Sequence, residues 1–326
     1  MFNPKGNGKG LTKEEAAKPK TAGRFFRYYF SNFNMMFALN IFMFLGNFPI
    51  LFGLFALTGK LNVHTTAPAS SLFAPLYGAI TIDGHDPVSA ALMGIHGTQT
   101  QVSMVTTSTK VFFALTLLVI FTFGIVNAAV AYIMRNVVKG ESVSFISDIK
   151  YSIKRNWKQA LILGIIDLLM IALIVYDLIF FLAGMGNAVT SFLFGVMLIV
   201  AMLYFMMRSY MYVLLVTFDL PITKILKNSF IFSLVGFKRN IVSFLGSVAV
   251  WVIDYLIMSM MFPVGLVLPV IFLVSMTTFM GIYAAYPKIK EIMIDPYYVS
   301  DDVGAKERTD DDEEEDLPEP IFKDRG

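Results

Sequence analysis

Residues 135–160 read RNVVKGESVSFISDIKYSIKRNWKQA, a polar and basic stretch between two long apolar runs. An echo of it returns between Arg208 and Asn240. Apolar runs lie near residues 33–57, 111–134, 160–183, 190–217, 241–261 and 264–286. A helix needs about 20 apolar residues to cross hydrocarbon, so each run is long enough. The fold class expected is all-α: a polytopic membrane protein with six transmembrane helices and two amphipathic cytoplasmic loop helices.

Composition agrees. Of 326 residues, 56% are hydrophobic and 15% charged, with a mean hydropathy of +0.66. Soluble domains carry about 25% charged residues, and a soluble core cannot absorb the difference. The absence of cysteine excludes disulfides, thiolate zinc sites, iron–sulfur clusters and cysteine nucleophiles.

Lysine and arginine set the orientation. Lys5, Lys9, Lys13, Lys18, Lys20, Arg24 and Arg27 precede the first run. Arg135, Lys139, Lys150, Lys154, Arg155 and Lys158 occupy the next basic segment, and Lys224, Lys227, Lys238 and Arg239 the third. With six spans these all fall on one side. Both termini are then cytoplasmic in a cell membrane and residues 58–110 are outside. The organisation expected is a basic tail over 1–30, a transmembrane domain over 31–290 with the outer loop 58–110, and an acidic, disordered tail over 291–326 that contains DDDEEED at 310–316. The first span is interrupted by Asn47, Pro49 and Gly53. A structureless loop of about 50 residues is uncommon and is usually functional or disordered.

A weak repeat accompanies the pattern. KRN at 154–156 leads into a span containing IDLLM at 166–170, and KRN at 238–240 into one containing IDYLIM at 253–258. The spacings differ, so both a true repeat and a chance resemblance stay open. Phe145, Ile149, Ile153 and Trp157 recur every fourth residue, and Ile222, Ile225 and Leu226 follow an Asp219–Pro221 helix start. Two readings remain for these faces: helices lying on anionic headgroups of the lipid bilayer, or docking surfaces for a partner.

The motif RNVVKGE, followed by FISDIK and KRNWKQA (Arg135–Ala160), resembles the YesL-like family of bacterial membrane proteins. LNIFMFLGNFPI (Leu39–Ile50) and FDLPITKILKNSF (Phe218–Phe230) are similar to that family's first helix and second cytoplasmic loop. The family's molecular function is unknown, and it offers no catalytic or ligand residues to carry over. The resemblance implies a Gram-positive setting beside carbohydrate-uptake ABC transporters. The long outer loop departs from the family pattern.

Charges inside spans are the first functional suspects, because burying one is costly. Asp167 lies about 15 Å above Trp157 at 1.5 Å per residue, and Arg208 lies at a similar height above Asp219. They are expected to pair, with Asp254 extending the network and Asp177 at the outer rim. The pair could lock two helices or form a substrate or proton site. His64, His85 and His96 all fall in 58–110, near Asp83 and Asp86, where either a metal site or an ordinary polar turn is consistent. No phosphate loop, HExxH or GxSxG is present, and GNGKG at 6–10 reads as a flexible basic tail. No aromatic residue stands between Lys5 and Phe25, which favours lipid headgroups over nucleic acid. The sequence therefore suggests a non-enzymatic protein without cofactors, an accessory or structural subunit of carbohydrate ABC uptake. The alternative is an independent secondary transporter or channel for a small solute. Importer permeases resemble one another in an E-A-A…G loop motif that both loops here lack.

Overall fold

The computed structural model describes residues 21–83 and 86–296. The lysines from Lys5 to Lys20, His85 and the acidic 310–316 run lie outside the described residues. The described residues fall into two compact units: Phe48–Val119, and 21–47 with 120–296.

In the larger unit, α1 (Ala22–Ser31) is an amphipathic helix. Phe25, Tyr28 and Tyr29 are its buried face. α2 (Phe33–Gly46) follows. The principal spans are α7 (Val119–Lys139), α8 (Phe145–Ala183), α9 (Ala188–Thr217) and α11 (Phe237–Met260), with α10 (Ile222–Val235) between the last two. The last span is α12 (Phe262–Leu268), a π-helical segment Pro269–Leu273 and α13 (Val274–Ile289), continued by a second π-helical segment to Ile294.

Among the described residues five helices are long and apolar enough to cross a membrane, and six if the pair Phe33–Gly46 and Pro49–Leu57, broken at Asn47–Phe48, is one span. Only 6% of the apolar window of α9 and 11% of that of α8 is buried inside the protein. Surfaces this apolar need lipid, and the chain is an all-α polytopic membrane protein.

The first amphipathic stretch is not a separate loop helix. Phe145–Ala183 is one helix of 39 residues, about 58 Å long. Nothing between Phe145 and Leu163 breaks it, since neither proline nor glycine occurs there. The second stretch does form its own helix, α10, closed by Gly236.

The smaller unit holds α3 (Pro49–Leu57), β1 (Val63–Pro68), α4 (Phe73–Asp83), α5 (Pro87–His96), β2 (Gln99–Met104) and α6 (Thr107–Thr116). β1 and β2 pair antiparallel, Val63 opposite Met104 and Pro68 opposite Gln99. Residues 58–110 are thus largely structured, and this two-stranded sheet is an addition to the all-α expectation. Asp86 caps α5, accepting from Val88 N at 2.7 Å and Ser89 N at 3.0 Å. Phe112 of α6 packs edge-on against Phe52 of α3 at 5.6 Å.

Candidate intramembrane charge site

α8 and α9 form a helical hairpin, and Asn187 caps α9 by accepting from Val189 N. Residues equidistant from such a turn sit at the same height. Asp167 is 17 residues before Gly184 and Tyr204 is 17 after Asn187 (184 − 167 and 204 − 187), so the two face each other. Arg208 and Tyr212 follow Tyr204 at four-residue steps and share its face. Helical side chains lean toward their helix N-terminus, which for α9 is the turn. Arg208 and Tyr212 therefore reach back to the level of Tyr204.

All three converge on Asp167, which is fully buried. Tyr204 donates its hydroxyl to Oδ1 at 2.8 Å and Tyr212 to Oδ2 at 2.7 Å. Arg208 Nε donates to Oδ2 at 2.8 Å and to Oδ1 at 3.1 Å. Three donor hydrogens meet this carboxylate, that of Arg208 Nε being shared between its two oxygens. Its charge is compensated and both oxygens are engaged.

The third wall comes from α7. A Cβ on Gly124 would stand 1.9 Å from Ala160 O, and one on Gly164 would stand 2.3 Å from Gly124 Cα. Only two glycines let α7 and α8 approach this closely. That approach, one turn from Asp167, sets Phe123 beside Arg208, with the guanidinium 5.3 Å from its ring and 5.4 Å from that of Tyr212.

Asp254 does not extend this network. It is buried, but Oδ1 has no hydrogen-bond partner, and among the described residues no ion pair links it to Asp167 or Arg208. It shares the face of Ser247, two turns earlier, whose hydroxyl meets Met280 Sδ of α13 at 3.7 Å. That face looks toward the last span. Asp177 is half-buried, about 15 Å further along α8.

Arg135 departs most from expectation. Grouped by sequence with the loop cations, it is fully buried, because α7 continues to Lys139. Its Nη1 donates to Val216 O at 2.9 Å and Thr217 Oγ1 at 3.3 Å, and its Nε and Nη2 to Asn136 Oδ1 at 3.1 and 2.9 Å. Val216 and Thr217 end α9, where carbonyls lack intrahelical donors and the helix dipole favours a cation.

The proposed docking faces are occupied by the chain itself. Ile149 and Ile225 are buried, and Phe145, Ile153, Ile222 and Leu226 pack against the core. Phe145 meets Phe42 edge-on at 6.3 Å. Of the seven, Trp157 alone is exposed, at 46%. The two KRN motifs serve different ends. Asn156 Nδ2 bonds Ser152 O in its own helix, whereas Asn240 accepts from Tyr210 and donates to Phe232 O and Ser233 O at the end of α10. Of the histidines, His96 Nδ1 pairs with Ser70 Oγ at 3.0 Å. Among the described residues no three metal-ligating side chains cluster.

Residues 104–178 match the model of a family described as "Protein of unknown function, DUF624". The match includes Gly124, Arg135, Gly164 and Asp167 and ends before Arg208. No curated protein and no solved structure matches the chain.

Proposed function

We propose that the chain is a non-catalytic multi-pass membrane subunit, an accessory of carbohydrate uptake by an ABC system in a bacterial cell membrane, with both termini cytoplasmic. The observation that carries the non-catalytic part is the enclosure of Asp167. A fully buried carboxylate with both oxygens engaged by Tyr204, Arg208 and Tyr212 serves to fix α8 against α9. The ABC setting rests on the resemblance of Arg135–Ala160 to the YesL-like family. Mild-detergent purification from native membranes, followed by mass spectrometry, tests it. Permease, ATPase or binding-protein subunits in fixed ratio support it, and elution alone or only as a self-complex overturns it.

One observation favours the second reading, a secondary transporter or channel. Asp254 carries a buried carboxylate oxygen without a donor, and the last span beside it is broken by Pro269 and a π-helical segment. Solute flux in proteoliposomes, lost in Asp254→Asn while the protein still purifies intact, would establish that reading.

A further inference from the structure

α10 has an exposed face whose chemistry changes along its length. Thr223, Lys224 and Lys227 are exposed in its first half, and Phe230, Ile231, Leu234 and Val235 in its second. Lys224 and Ile231, like Lys227 and Leu234, are seven residues apart and share a face, so the change runs along the axis rather than around it. α8 changes in the same way. Lys150, Lys154, Arg155 and Lys158 are exposed, and beyond them Ile162, Leu169 and Leu173 form the exposed surface. Gln159 Nε2 donates to Leu220 O at 3.3 Å, which ties the start of α10 to this level of α8. Both faces thus turn from cationic to apolar along the helix, and their cationic ends lie at one level. Among the described residues no ion pair engages Lys154, Lys158, Lys224 or Lys227. Asp219, exposed next to Leu220, is the acid on this level.

We infer that this is a seat for an anionic phospholipid. Lys158 of α8 with Lys224 and Lys227 of α10 hold the headgroup, and an acyl chain lies along Phe230, Ile231 and Leu234. Charge and polarity select the occupant, because a cationic patch that runs directly into apolar surface matches an anionic head joined to hydrocarbon. The acidic 310–316 run of this chain is the competing occupant for the lysines, and truncation at Ser300 separates the two.

The test is native mass spectrometry of the delipidated full chain, titrated with phosphatidylglycerol or with phosphatidylcholine of the same acyl chains. Phosphatidylglycerol is expected to bind more tightly, and each of Lys224→Gln and Lys227→Gln to weaken it about fivefold, the effect of one lysine at an anionic surface. Lys60→Gln with Lys110→Gln, in the smaller unit, should leave binding unchanged. All four substitutions are at surface positions, and size-exclusion profiles check that folding is intact. Equal binding of the two lipids, or equal loss in the Lys60/Lys110 variant, overturns the proposal. So does a preference for phosphatidylglycerol that appears only after truncation at Ser300, which would assign the face to the acidic run.

Discussion

Arg208 Nε lies within 3.1 Å of both carboxylate oxygens of Asp167, across the α8–α9 interface. Breaking a buried pair costs about 3–5 kcal/mol, because the remaining charge is stranded. Asp167→Asn should therefore lower the melting temperature sharply in detergent, measured by fluorescence-detected size exclusion. Replacing both partners, Asp167→Leu with Arg208→Leu, should cost less than either change alone. Additive losses would show that the two residues do not act as a pair.

The Asp167–Arg208 pair could be read from the sequence because height along a helix is countable, and two opposite charges at one height in lipid have few other partners. Tyr204 and Tyr212 carried the same signal, at four-residue steps from Arg208. Tyrosine in a span is common enough near interfaces that spacing alone does not mark it as a donor. Arg135 was hidden by the end of α7, since where a helix stops among Asn136, Val137 and Lys139 is set by tertiary packing on Val216 and Thr217. The β1–β2 pairing was equally hidden, because it joins residues 31 to 41 positions apart (99 − 68 and 104 − 63) and leaves no local pattern. Asp86, read from the sequence as part of a metal site or a polar turn, caps α5 ahead of Pro87.

Arg135→Lys is not conservative at this position. Lysine keeps the charge but cannot present the planar fork that bonds Val216 O and Asn136 Oδ1 together. Losing a hydrogen bond to a charged group costs about 1.5–3 kcal/mol. The expected result is a lower melting temperature and faster amide exchange in the last turn of α9. Unchanged exchange there would mean that Arg135 does not cap that helix.

Gly124→Ala and Gly164→Ala should each force α7 and α8 apart, since the new methyl would lie under 3 Å from backbone atoms. The same change in open space is favourable, because alanine stabilises a helix interior by up to about 1 kcal/mol over glycine. Gly195→Ala, with nothing within 4 Å of its Cβ, is the matched control. Opposite signs of the shift in melting temperature at Gly124 and Gly195 are expected. Equal shifts would remove the close crossing from the account of how Phe123 reaches Arg208.

Asn40 ties α2 to the broken last span. Its Nδ2 donates to Pro269 O at 2.9 Å and Val270 O at 2.6 Å, and its Oδ1 accepts from Ser275 N at 2.7 Å. A π-helical turn shifts the backbone ladder, and proline at 269 removes a donor, so these groups rely on a side chain from elsewhere. Asn40→Leu fills similar space but supplies neither donor nor acceptor, and leaves buried backbone groups unmet at about 1–3 kcal/mol each. Hydrogen exchange should speed up at Ser275 and its neighbours in α13, while the α8–α9 hairpin keeps its protection. Asn40→Asp should restore the Ser275 bond but not the two carbonyl bonds, giving slow exchange at Ser275 in a protein that still melts early. If Asn40→Leu exchanged at Ser275 as slowly as the parent, the π-helical segment would be held by its own helix and not by α2.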